Sequence, residues 1–295
     1  MPGILFAIVT VLAWGTWLAP SQRVPLRSAQ VRTFYVASIN LIVALAIAAF
    51  RGFGSISVVE FWLPLGGGVI WAISGVCAFA AAVRIGIAKA FGIWAPLNII
   101  VSLICGRLIF KEFKELAPSA LLLLAGSIAI VLTGVLLIIF AKSPSAEAAD
   151  ARGNKIGYVA AIAAGVLWGV YFVPVKYSGV SLWVASVPLA AGMFVGSAIL
   201  LALARASVAV GPMANYVKLS STGLLWTIGN YGMLLLVDAW GAGKGFTISQ
   251  LSVVVNAAVG IYVLKEPPPR SRAARLTLIG CVLATIGGIL LGRIH

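Results

Sequence analysis

The stretch AWGTWLAP, residues 13–20, returns as LWGVYFVP at 167–174. Trp14, Gly15, Trp17 and Pro20 are answered by Trp168, Gly169, Tyr171 and Pro174, each 154 positions later. The correspondence runs on. Gly68, Trp71, Gly86, Lys89 and Phe91 fall on Gly223, Trp226, Gly241, Lys244 and Phe246 at an offset of 155. Gly106, Lys111, Glu112, Gly126 and Gly134 then fall on Gly260, Lys265, Glu266, Gly280 and Gly288 at 154 again, so the first copy carries one extra residue between Phe91 and Gly106. One matched Trp or Gly would be noise in so apolar a chain. A near-constant offset over half the sequence is a duplication.

What is duplicated is membrane-spanning. Of 295 residues, 62% are hydrophobic and 9% charged, against roughly half and a quarter in a soluble domain. About 20 apolar residues cross a hydrocarbon core. Ten such runs are legible, at about 3–20, 32–50, 62–83, 86–109, 118–140, 156–174, 181–204, 221–240, 243–263 and 273–292. The fold class is therefore all-α and polytopic, with ten transmembrane helices in a multi-pass protein of the cell (inner) membrane. Each copy holds five spans. Five is odd, so the second copy enters the bilayer from the opposite face, and the halves form inverted-topology repeats. The expected division is a first repeat over 1–140, a small and polar connector over 141–155, and a second repeat over 156–295. The loops leave no room for a soluble catalytic domain. The first apolar run begins at Pro2 without a basic region before it and reads as part of the mature fold.

The net charge of +14 comes from 21 basic residues scattered over the loops. That scatter argues for topology signals and against nucleic acid. The count of basic residues favours both termini outside the cytoplasm. Three cysteines, Cys77, Cys105 and Cys281, are widely spaced, and the sole histidine is His295. No metal site, cofactor motif or acid–base pair is expected, so the chain does not read as an enzyme.

The fourth run collects residues that a lipid-facing helix avoids. AKAFGIWAPLNII, 88–100, holds Lys89, Trp94, Pro96 and Asn98. Proline removes one helical hydrogen bond, and a helix break is expected at Pro96. Asn98 and Ser102 are four apart and share a face. The repeat sets them against Ser252 and Asn256, with Gln250 in the place of Pro96. Matched polar patches at mid-depth suit a cavity, although helix–helix hydrogen bonding also uses such residues. Trp14, Trp71, Trp94, Trp168 and Trp226 lie deeper than an interfacial belt, Trp17 and Tyr171 share helix faces with Trp14 and Trp168 as i, i+3 pairs, and Asn230 lies at mid-depth. Their rings suit either structural packing or stacking on the C–H face of a sugar. Asp238 is the one carboxylate clearly inside a span. It is the candidate for ion coupling, and a helix-end ion pair with Lys244 is the alternative. Lys89 and Lys244 open related spans and are expected to snorkel.

Ten spans, the five-plus-five repeat, and fourth and ninth spans closing in LIFKE and YVLKE resemble the drug/metabolite transporter superfamily. WGTWLAP, WGVYFVP and AKAFGIWAPLNIIVSLICG are most similar to its sugar-uptake branch, the glucose/ribose porters and their rhamnose-transporter relatives. The resemblance implies uptake of a monosaccharide by alternating access, with proton symport or facilitated diffusion both open. The substrate-binding set would be Trp14, Trp17, Trp94, Asn98, Ser102, Trp168, Tyr171, Trp226, Asn230, Gln250, Ser252 and Asn256. The alternative is export of drugs or amphipathic metabolites. Cationic drugs call for a buried acid to pair with, and the mid-depth polar set here is neutral.

Overall fold

The computed structural model describes residues 2–26, 28–52, 56–111, 117–141, 151–240, 245 and 248–293. Among them every regular element is helical. In chain order these are α1 (Pro2–Thr16), α2 (Ala19–Gln22), α3 (Ala29–Arg51), α4 (Val58–Ile85), α5 (Ile87–Ile109) and α6 (Pro118–Ile139). The second half holds α7 (Ala151–Val170), α8 (Phe172–Tyr177), α9 (Leu182–Leu203), α10 (Met213–Trp240), α11 (Leu251–Ala258) and α12 (Arg272–Leu291). A π-helical turn over Val259–Val263 extends α11.

Eight segments are long and apolar enough to cross a membrane, counting α1 with α2 and α7 with α8 as one each. The other two expected spans are helical as well. The helix α10 has length enough at 28 residues, but Asn215, Thr222, Asn230 and Asp238 dilute its apolar content. The ninth span is described as the shorter apolar helix Leu251–Val263. The chain is thus a polytopic membrane protein of ten spanning elements. Leucines 121, 122, 132 and 136 on α6 are exposed, as a lipid-facing surface requires.

The broken helices are not where the proline argument put them. The helix α5 runs unbroken through Pro96, and Lys244, Phe246 and Glu112 lie outside the described residues. Breaks fall instead at Trp17–Leu18 and at Tyr171, just ahead of Pro20 and Pro174. The reason is how much helix follows each proline. Thirteen residues beyond Pro96 keep their own hydrogen bonds and hold the line, whereas Pro20 and Pro174 precede only a short stub. The segment ends are also matched. Lys111 and Lys265, which close the fourth and ninth spans, both take left-handed backbone with φ of +56° and +61°.

Packing joins the halves helix by helix. The helix α6 lies on α12, α4 on α7 and α9, α5 on α7, α10 on α1 and α3, and α11 on α1. Contact is close wherever glycines meet. A Cβ on Gly134 of α6 would lie 2.5 Å from the Gly280 carbonyl oxygen of α12, and one on Gly280 would lie 2.6 Å from that of Gly134. Small residues of this kind let backbones approach where lipid gives no hydrophobic drive.

Candidate functional site

The packed centre is aromatic. Trp168, near the end of α7, is its hub: its ring lies 5.4 Å from Trp94 of α5, 6.1 Å from Trp71 of α4 and 6.5 Å from Trp17 between α1 and α2. Trp71 in turn meets Trp226 of α10 at 4.7 Å, edge to face. Phe79 abuts Trp17 and Phe91 abuts Trp94. All five tryptophans are buried, from 1% exposed at Trp94 to 8% at Trp226. Edge-to-face pairs at these separations are favourable beyond area burial alone. Five helices from both halves thus meet on a single set of rings.

This set is not fully satisfied. Buried polar atoms in native proteins almost always find a partner. The indole Nε1 of Trp168 has none, and neither does that of its repeat counterpart Trp14. Asn256 is fully buried with its Oδ1 unpartnered too. Two donors and one acceptor held out of water, Trp168 Nε1 among aromatic rings, match a neutral ligand with hydroxyl groups. Among the described residues no three His, Cys, Asp or Glu come together to hold a metal.

The matched amides and hydroxyls bind helix to helix. Ser102 donates to Asn98 Oδ1 at 3.2 Å and to the Gly169 carbonyl of α7 at 3.3 Å. Asn256, in the place of Ser102, donates through Nδ2 to the Gly15 carbonyl of α1 at 3.1 Å. Gly15 and Gly169 are themselves repeat counterparts. The surroundings repeat as well: a Cβ on Gly15 would strike Val255 and sit 3.3 Å from Ser252 O, and one on Gly169 would strike Val101 and sit 3.0 Å from Asn98 O. Ser252 is buried beside this clamp. Gln250 caps the start of α11 and accepts from Thr285 through its backbone at 3.5 Å. Asn230 is half-buried on α10, and half-buried Tyr171 packs against the aromatic core at the α7 break. Pro96 is buried inside continuous α5.

Asp238 is exposed at the end of α10, where its Oδ2 accepts from Trp183 Nε1 at 2.7 Å. Arg51 lies over the same Trp183 ring at 4.3 Å. Lys89 does not snorkel. It is buried and donates to the Ala141 carbonyl just past α6, a helix end that favours a cation.

The sequence reading placed Trp71 among the deep tryptophans but left it out of the substrate-binding set; it belongs to the ring cluster. Arg32, counted as a topology charge, is 3% exposed and donates to the carbonyls of Ser21, Gln22 and Val24. Nothing in its sequence context marks it as buried.

The profile of sugar transport proteins matches residues 5–294. The chain belongs to that family. A protein of Lactiplantibacillus plantarum named for sugar uptake is 26% identical over 98% of each chain. One of Bacillus anthracis, also named for sugar uptake, is 26% identical over 98% of each. A third, from Priestia megaterium and named for glucose uptake, is 26% identical over 76% of each. A solved crystal structure at 21% identity superposes with a TM-score of 0.62, covering 99% of this chain and 96% of the other, which establishes likeness of fold. This sugar transport family member is accordingly a multi-pass protein of the cell membrane and a transporter.

Proposed function

We propose that this sugar transport family member is a secondary transporter that carries a monosaccharide between its two halves by alternating access. The observation that carries the reading is Trp168: a buried indole at the junction of three other tryptophans, its N–H unpartnered. A sugar ring presents an apolar C–H face to such rings, and one of its hydroxyl oxygens accepts from Nε1. Trp71, Trp94 and Trp226 supply the remaining walls, and Trp14 and Asn256 offer a further donor and acceptor. Ser102 and Asn98 act as the clamp of α5 on α7.

The inverted repeat is part of the proposal. It is supported by the pairings: α4 of the first half on α7 and α9 of the second is mirrored by α10 of the second half on α1 and α3 of the first. Parting of those pairings on one side and closure on the other exposes the rings alternately. Asp238, exposed and engaged with Trp183, is read as the holder of that ring, so the proposal contains no proton-carrying step.

Uptake of radiolabelled sugars, amino acids and cationic dyes into proteoliposomes tests the substrate class. Movement of dyes without any sugar would refute it. Trp168→Phe keeps a ring and deletes the donor, and sugar affinity is expected to fall about tenfold, the worth of one hydrogen bond left unmade. Trp168→Phe binding sugar as tightly as the parent would remove Trp168 Nε1 from the site.

A further inference from the structure

The two ends of the helix bundle are joined differently. At the end where α2, α4 and α11 finish, the halves are tied by directed hydrogen bonds. Gln22 Nε2 donates to the Ala82 carbonyl at 2.7 Å and to Glu266 Oε2 at 2.9 Å. Arg23 donates to the Leu264 carbonyl at 2.8 Å. Gln22 and Arg23 belong to the first half, Leu264 and Glu266 to the second. The α2 turn that presents them is itself pinned, because Arg32 holds the carbonyls of Ser21, Gln22 and Val24. Gly86, with φ of +79°, makes the seat: a Cβ there would lie 3.0 Å from Glu266 Cβ and 3.4 Å from Oε2. Ser21 lies directly behind the tie, fully buried.

At the opposite end, ring contacts cross between the halves: Arg51 over Trp183 at 4.3 Å, Lys176 over Phe110 at 4.7 Å and Phe110 against Phe172 at 6.4 Å. There a cavity of about 280 Å³ opens between α3 and α9, lined by Arg51, Ser181, Trp183 and Ser186. The first end is tied by hydrogen bonds to a carboxylate and to carbonyls. Hydrogen bonds to a charged acceptor are the stronger and more directional kind.

We propose that Gln22, Arg23 and Glu266 form a latch that closes this end while the site is reached from the other, and that the latch must open in every transport cycle. The inference rests on the transport reading above and adds the residues that hold one of its two states. Glu266 gains a task that composition cannot reveal, since it sits in a turn among basic neighbours.

Cross-linking tests it. Gln22→Cys and Glu266→Cys are introduced together in a chain whose three native cysteines are replaced by serine, and joined with a short bifunctional methanethiosulfonate. The cross-linked protein is expected to lose sugar uptake at least tenfold and to regain it on reduction, while sugar still quenches its tryptophan fluorescence. Uptake at the uncross-linked rate, or failure to cross-link, overturns the latch. If the reduced protein neither moves nor binds sugar, the transport reading has failed, and accessibility decides the latch by itself. For that, Ser21→Cys reports labelling by a membrane-impermeant maleimide. Adding Glu266→Leu is expected to raise the labelling rate about tenfold, the worth of a charge-assisted bond. An unchanged rate overturns the latch whatever the substrate.

Discussion

Replacing Gly15 or Gly169 by alanine adds one methyl group at two close contacts between the halves. On Gly169 the new carbon would lie 2.6 Å from Val101 Cγ1 and 3.0 Å from the Asn98 carbonyl oxygen. On Gly15 it would lie 2.5 Å from Val255 Cβ and 3.3 Å from the Ser252 carbonyl oxygen. Carbon atoms pack at about 3.5–4.0 Å, so α7 must move off α5, and α1 off α11, by about 1 Å. Overpacking on this scale costs about 1–3 kcal/mol. The bonds from Ser102 and Asn256 to those same glycine carbonyls are strained as well, and an interhelical bond in a membrane is worth about 0.6 kcal/mol. At about 2–4 °C per kcal/mol, each variant should melt on the order of 5 °C below the parent in detergent. Gly126→Ala is the matched control. Nothing lies within 4 Å of its added carbon, so lower unfolded-chain entropy is the only change, worth about 0.4–1 kcal/mol in its favour. Gly15→Ala and Gly169→Ala melting with the parent, or Gly126→Ala falling as far as they do, would refute the close-contact argument.

Two further outcomes follow from single side chains. Arg32→Met leaves the carbonyls of Ser21, Gln22 and Val24 without their donor; at about 1.5–3 kcal/mol for a charged hydrogen bond, its melting point should drop by at least several degrees, and an unchanged melt would contradict the pinning role. Asp238→Asn keeps an acceptor for Trp183 Nε1, so sugar uptake with and without a pH gradient should match the parent; loss of gradient-driven accumulation in that variant would return Asp238 to ion coupling.

The spans were legible because they rest on apolar run length, which a sequence carries directly. Rotation about each helix axis is not carried that way. Gly126 and Gly280 are indistinguishable in the repeat, yet the first faces open space and the second meets a backbone carbonyl. The proline argument failed for a related reason. Its cost at Pro96 was read from the residue alone, while the outcome depends on how much helix follows, which is why Pro20 and Pro174 carry the breaks. Arg32 was read as a loop charge because burial of a guanidinium depends on the three carbonyls that the α2 turn turns toward it. Of the amide–hydroxyl pairs, Ser102 and Asn256 make the helix–helix bonds that were weighed against a cavity. Trp71, counted among the deep tryptophans, belonged in the substrate-binding set as well, since the offset of 155 ties it to Trp226.

On the proposed repeat, two equal halves would offer two equal ring clusters, and the described residues form one. Trp71 and Trp226 are counterparts by offset and in direct contact, 4.7 Å apart, so the proposed two-fold relation passes between them. From that pair the cluster extends through Trp71 to Trp168, and from Trp168 to Trp94 and Trp17. The mirror extension is missing its parts. Trp94 falls on Ile248 or Ser249, depending on where the extra residue of the first copy is placed, and Trp17 falls on Tyr171. Trp14 accordingly packs beside Ile248, Met233 and Val237 rather than among indoles. The one-residue insertion and the absence of tryptophan at both of these positions concentrate the aromatic walls around Trp168. On this argument Trp168→Phe should weaken sugar binding more than Trp14→Phe, even though both delete an unpartnered indole N–H. Equal losses in the two variants would mean that the donors, and not the rings around them, define the site.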